Sequence, residues 1–214
     1  MIQAIHPTPT PKANPAAIIR EGNARFTILT SRIIRMEFDP LQNFEDHASQ
    51  VFLYRDQPVP NFNTWKQGGW LHIETDRLHL RFVENGRFHW RDLHITVKET
   101  GKTWQYSWPD QANLGGTVRT LDSVNGRLSL PDGLVSRSGW AVVDDSNSLI
   151  FDDQEWLQPR VTSPEKRDLY FFGYAQDYLA AITEYQNISG KPGLLPRWAL
   201  GNWWSRYWAY SDRD

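Results

Sequence analysis

The chain has 214 residues, a formal net charge of −2 and no cysteine. That excludes disulfides, thiolate catalysis and cysteine metal sites, and it leaves no basic surplus for holding nucleic acid through its phosphates. Hydrophobic residues make up 40% and charged residues 22%, so the chain is expected to bury a core rather than stay disordered. Its unusual feature is aromatic content, with 11 Trp, 8 Tyr and 10 Phe. Flat rings with a polar edge suit a dense core and also suit stacking on sugar faces.

Met1 to Pro15 carries Pro7, Pro9, Pro11 and Pro15 and lacks the basic start and apolar stretch of a signal peptide. It is expected to be an extended arm along a sheet edge, and a cytoplasmic location is expected. No run is long and apolar enough to span a bilayer, so no membrane association is expected. From Ile18 to Phe151 the pattern has period two. Ile34, Met36 and Phe38 alternate with Arg35 and Glu37; Leu71 and Ile73 flank His72; Leu78, Leu80 and Phe82 alternate with His79 and Arg81; Leu93, Ile95 and Val97 alternate with His94 and Thr96. Each stretch predicts a half-buried antiparallel strand. Turn signals separate them at Gly22-Asn23, Gly68-Gly69, Asn85-Gly86, Thr100-Gly101, Asn125-Gly126 and Asp132-Gly133. The fold expected is mainly β, an antiparallel β-sandwich.

After Pro164 the period changes. Leu169 to Phe172 predicts a buried strand, and Tyr178, Ile182 and Tyr185 predict one face of a helix over Ala175 to Ile188, with Asp177 early in it and Gly190 and Pro192 after it. Trp198 to Trp204 reads as a strand apolar on both faces, as in a covered parallel sheet. Ser211 to Asp214 has the Ser-x-x-acid pattern of a helix N-cap. The segment is therefore expected to open a βα unit cut before its helix, or else to add a C-terminal strand to the sandwich.

Chemical motifs are sparse. His72, His79, His89 and His94 are placed on strands facing solvent, none at metal-ligand spacing. The carboxylate pairs Asp144-Asp145 and Asp152-Asp153 flank Ser146 to Ser148 and read as solvated turn charges, since neighbours on a strand point to opposite faces. Asn113-Leu-Gly-Gly-Thr117, followed by Arg119, Thr120 and Asp122, is a Gly-rich loop able to carry polar side chains to a neighbouring site.

Asn113 to Asp122, Asp132 to Ser146, Asp168 to Tyr174 and Gly190 to Asp212 together resemble glycoside hydrolase family 31, the α-glucosidase family. The resemblance is clearest over 113–214, and residues 1–112 match it in β-rich character alone. It implies a sandwich of galactose-mutarotase-like type, then a linker helix and the first strand of a truncated (β/α)8 barrel. The corresponding division is 1–167 sandwich with its arm, 168–195 strand and linker helix, and 196–214 start of the barrel. It implies a parent enzyme that is a retaining exo-acting α-glycosidase or transglycosylase, whose two catalytic Asp belong to later barrel strands; no catalytic residue is assigned in this chain, and no metal or organic cofactor is implied. By the same resemblance Arg206 and Tyr207 match the Arg-Tyr after the first barrel strand, where the aromatic lines the sugar pocket, although Trp208-Ala209 departs from the family's continuation. Asp122 matches the acidic residue that a sandwich loop brings to sugar hydroxyls. The expected partner is an α-glucoside or related oligosaccharide, with self-association through the exposed C-terminal strand. The rival readings are a free-standing carbohydrate-binding module and a mutarotase-like epimerase, the latter needing an acid and a base such as Glu74 and His89.

Overall fold

A computed structural model of the chain describes residues 8–116, 125, 129–202 and 209–213. Twelve strands and one α-helix run in the order β1 (Ile18–Glu21), β2 (Ala24–Ile28), β3 (Ile33–Phe38), β4 (Phe62–Gln67), β5 (Trp70–Thr75), β6 (Leu78–Val83), β7 (Leu93–Val97), β8 (Lys102–Gln105), β9 (Ala141–Asp144), β10 (Ile150–Phe151), β11 (Leu157–Gln158), β12 (Arg167–Phe172) and α1 (Tyr178–Ser189). They form two five-stranded sheets, β1-β2-β3-β12-β9 and β4-β5-β6-β7-β8, and a small β10-β11 hairpin. Every pairing within them is antiparallel.

The alternation expected from sequence appears directly in β5, β6 and β7, where buried and half-buried residues alternate along each strand. Their inward side chains meet those of the first sheet: Leu71, Ile73, Leu80, Phe82 and Ile95 pack against Phe26, Ile34, Met36, Leu169 and Phe171. Phe26 and Phe82 meet edge to face at 5.2 Å, a geometry that suits the ring quadrupoles. Gly68 and Gly69 turn β4 into β5 with φ of +60° and +79°, angles that an L side chain resists.

The strand β3 departs from expectation, because both of its faces are buried. Arg35 and Glu37 point away from the core, yet neither reaches solvent, because the 44–55 segment, the 145–160 segment and α1 form a third layer over the first sheet. That layer has an apolar half and a charged half. In the apolar half Phe52 stacks on Tyr170 at 3.6 Å, and Ala181 and Ile188 of α1 close over Ile33 and Phe172. In the charged half Arg35 grips Asp168 with two hydrogen bonds, of 2.8 and 2.7 Å, and approaches Glu37 at 3.0 Å. Arg25 grips Glu37 from the neighbouring strand at 2.6 and 2.9 Å. Arg160 bridges Asp168 at 2.6 Å and Asp145 at 2.7 Å. Arg55 donates to Tyr170 Oη at 2.6 Å and to the His47 carbonyl at 2.6 Å.

Asp145 is therefore not a solvated turn charge. It is completely buried, and burial together with the nearby Asp168 carboxylate raises its pKa despite Arg160. Burial alone would raise Asp168 too, but Arg35, Arg160 and Arg55 hold it far below the usual carboxylate range. A carboxylate depressed in the native state stabilises the fold above its unfolded pKa of about 4, and that contribution is lost as pH falls toward the native value. Acid titration followed by circular dichroism should show wild-type stability declining below about pH 4. In Asp168→Asn the slope there should be shallower; an unchanged slope would contradict this account of Asp168.

The C-terminal third differs in detail. The helix starts at Tyr178, three residues later than expected, because Asp177 is its cap and accepts from the Ala180 N–H at 3.2 Å. Its buried residues are Ala181 and Ile188; of the expected Tyr178–Ile182–Tyr185 stripe, Tyr185 packs against Phe52 and Phe172 and Tyr178 is half-buried, whereas Ile182, like Leu179, is exposed. Arg197–Leu200 forms a 3₁₀ turn where the start of a strand was expected. A strand needs a neighbour for its N–H and C=O groups, and no described strand lies beside this segment. The arm places Thr10 beside Tyr54, where the Thr10 carbonyl accepts from the Arg55 and Asp56 N–H groups at 2.8 and 3.1 Å. It crosses the third layer rather than a sheet edge. No described helix is long and apolar enough to cross a membrane.

Candidate functional site: a stapled loop and an aromatic cleft

The two sheets meet the surface at β8 and β9, their respective edge strands. The chain between them leaves β8 at Gln105 and reaches β9 at Ala141. Its two flanks come back together as a stem. Asn113 pairs with Ser136 in an isolated antiparallel bridge. The Leu114 N–H donates to Val135 O at 3.1 Å, Gly116 N–H to Pro131 O at 2.7 Å, and Arg137 N–H to Ala112 O at 3.0 Å.

Asn113 is the staple of this stem. Its Oδ1 accepts from the Gly115 N–H at 2.9 Å and the Gly133 N–H at 2.6 Å. Its Nδ2 donates to Asp110 Oδ2 and to the Gly133 carbonyl, both at 3.1 Å. An asparagine is required because one side chain must accept and donate at once. Gly115 takes a positive φ of +80°, and a Cβ on Gly133 would fall 2.5 Å from the Gly115 carbonyl oxygen. Asp132-Gly133, expected as a hairpin turn, thus lies in a closely approached stem, opposite the Gly-rich stretch that starts at Asn113.

Asp110 braces the same stem. Burial would raise its pKa, but hydrogen bonds from Ser136, Ser138, Asn113 and the Ala112 N–H outweigh burial and keep it low. The Ser138 hydroxyl donates at 2.7 Å. Its carboxylate is therefore committed to holding the stem.

Beside the stem lies a cleft of about 230 Å³ between β8 and β9. Trp104, Trp140, Val142 and Leu169 form its floor, and Tyr106, Trp108, Asp132 and Asp144 its rim. Trp104 is buried at 6.3 Å from the ring of Trp140 and 5.5 Å from that of Phe171. Trp108 is 53% exposed. Ser107, just before it, takes a φ of +63°, an uncommon conformation for a residue with a Cβ. Sequence reading gave no reason to select this cleft. Its signal was the Trp104-x-Tyr106-x-Trp108 spacing, which spans the end of an edge strand and its exit.

The residues selected from sequence fare unevenly. Asp122, Arg206 and Tyr207 lie outside the described residues. Asp144 stands at the cleft rim, exposed, and one of its oxygens accepts from the Ser146 N–H at 2.9 Å. Asp152 is an exposed turn cap. His72 and His79 sit on the outer face of the second sheet, half-buried rather than simply solvated. Their ring nitrogens lie 3.0 Å apart and Trp65 stacks on His72 at 4.8 Å. Burial and the proximity of His72 lower the pKa of His79. His89 lies in a bend before β7, not on a strand. Glu74 is engaged by Lys98 at 2.9 Å. The Glu74 and His89 pair considered for epimerase chemistry is therefore not assembled. Among the described residues no group of three or more metal-ligating side chains occurs.

No family model matches the chain. An isomaltosyltransferase of Sporosarcina globispora is 47% identical over a 36-residue stretch, 17% of this chain and 3% of that protein. Among solved structures, a family 31 dextranase of Flavobacterium johnsoniae complexed with glucose superposes with a TM-score of 0.53 at 15% identity, covering 91% of this chain and 30% of the dextranase. A family 31 α-xylosidase from a soil metagenome, complexed with xylose, gives a TM-score of 0.52 at 12% identity, over 86% of this chain and 35% of the xylosidase. A cycloalternan-forming enzyme of Listeria monocytogenes, complexed with a pentasaccharide substrate, gives 0.50 at 12% identity, over 87% of this chain and 23% of that enzyme. The chain thus spans about a third or less of each of these structures. Its β-sandwich has the fold of one portion of glycoside hydrolase family 31 enzymes.

Proposed function

We propose that the chain is the non-catalytic N-terminal sandwich of a retaining, exo-acting α-glucosidase-type glycoside hydrolase, with residues 1–167 as its sandwich, 168–195 as strand and linker helix, and 196–214 as the start of a (β/α)8 barrel. The observation that carries this is the stapled stem at 113–116 and 130–137. It fixes both ends of the 117–129 segment, which contains Asp122, on a sandwich whose fold family 31 enzymes share. In this reading Asp122, Arg206 and Tyr207 line the sugar pocket, and hydrolysis is performed by two carboxylates elsewhere in the protein. Two of the buried carboxylates do not suit that task. Asp145 and Asp168 are 0% and 2% exposed and already paired with arginine.

The test compares the purified 214-residue chain with the protein expressed from the complete reading frame, using an aryl α-glucoside. The chain should show no turnover and the longer protein should. Turnover by the chain alone, or by neither, would overturn the assignment.

The segment after α1 fits the same reading. Leu194, Leu195, Trp198 and Leu200 are all exposed, a cluster that soluble surfaces rarely leave uncovered. We assign it to seat against the barrel. In the isolated chain it should drive self-association, so deleting 196–214 should shift sedimentation toward monomer. An unchanged profile would contradict this.

A further inference from the structure

We infer that the cleft between β8 and β9 is a saccharide-binding site for one neutral hexopyranosyl unit, with Trp108 as its stacking platform. The location rests on the cleft itself; the choice of an α-glucosyl ligand rests on the glycosidase reading. Three observations converge. First, Trp108 stands half out of the surface, although a Trp at an edge-strand exit has ample apolar neighbours in Trp104, Tyr106 and Trp140. Ser107 takes its positive φ immediately before it, and strain of this kind persists where the surrounding structure enforces it. Second, among the described residues the lining is aromatic and carboxylate without a Lys or Arg. Carboxylates accept hydrogen bonds from vicinal hydroxyls and repel phosphates and uronic acids, so the lining selects a neutral polyol with an apolar face. Third, the volume of about 230 Å³ falls below the usual range for drug-sized ligands and suits a single sugar ring.

Roles within the cleft differ. Asp110 and Asn113 are already committed to the stem, so they shape one wall. Asp132 and Asp144 stand exposed on the rim and are the groups available to sugar hydroxyls. The buried Trp104 and the half-buried Trp140 line the cleft beside the platform.

The experiment titrates the 214-residue chain with methyl α-D-glucopyranoside and isomaltose, following tryptophan fluorescence and calorimetry, with glucose 6-phosphate and tetramethylammonium as comparison probes. Both neutral sugars should bind and the phosphate should not. Trp108→Ala should weaken binding at least tenfold, Asp132→Asn and Asp144→Asn should each weaken it severalfold, and Trp90→Ala, a half-exposed Trp outside the cleft, should leave it unchanged. Circular dichroism of each variant checks that the fold persists. Binding undiminished in Trp108→Ala, no sugar binding at all, or binding of tetramethylammonium in place of sugars would each overturn the inference. The result is separable from the glycosidase reading, which turns on hydrolysis by the longer protein. A chain that binds isomaltose while the longer protein hydrolyses nothing would sink the latter alone.

Discussion

Replacing Arg35 with methionine should destabilise the chain by about 3–5 kcal/mol, the usual consequence of removing one partner from a buried ion pair. Arg35 is 2% exposed and supplies both hydrogen bonds on one side of Asp168, as well as an ion pair to Glu37. Methionine fills much of the volume and offers no charge, so Asp168 keeps Arg160 alone among its direct partners and Glu37 keeps Arg25. Replacing Arg35 and Asp168 together with apolar residues should recover most of the loss, because Glu37 then keeps Arg25, Arg160 keeps Asp145, and no charge is left orphaned. Urea denaturation at pH 7 with an unchanged m-value reads both effects. A loss below about 1 kcal/mol for the single variant, the level of an exposed pair, would mean that the layer over the first sheet is not as closed as described.

The second large effect is expected at the stem. Asn113→Ala removes four hydrogen bonds, each worth about 0.5–1.5 kcal/mol, so a loss of roughly 2–6 kcal/mol in the local stability of the stem follows. Gly133→Val reaches the same end by another route. Its Cβ would strike the Gly115 carbonyl, and overpacking of that kind costs about 1–3 kcal/mol. Because the stem fixes both ends of the segment that contains Asp122, the functional consequence should exceed the global one. In the longer protein either variant should lower kcat/KM on an α-glucoside at least tenfold, while the sandwich still melts cooperatively. Hydrogen exchange should show faster exchange of the Leu114, Gly116 and Arg137 amides, whose partners lie across the stem. Full activity with those amides freely exchanging would separate the stem from the sugar pocket.

The strands of the second sheet were legible in the sequence because one of their faces meets solvent, so burial has period two. The strand β12 was legible as a continuous apolar run because it lies between β3 and β9 with both faces covered. The layer over the first sheet was not legible. Arg35, Glu37 and Asp168 follow the same alternation as solvent-facing charges, and nothing local distinguishes a charge that meets water from one that meets a partner on another strand or segment, as Arg35 meets Asp168 across 133 positions. Asp145 was misjudged for the same reason, since its partner Arg160 is fifteen residues away on the far side of a hairpin. At the candidate site the glycines and Asn113 stood out, because backbone constraints are written in residue type. The cleft did not, because it is made by two edge strands that are distant in sequence.

Whether the segment between the two flanks of the stem serves a sugar pocket is decided by steady-state kinetics of Asp122→Asn in the protein from the complete reading frame. In that variant kcat/KM toward an α-glucoside should fall at least tenfold while the melting temperature stays within about a degree or two of wild type. Wild-type kinetics in the Asp122→Asn variant, with the protein folded and active, would contradict it.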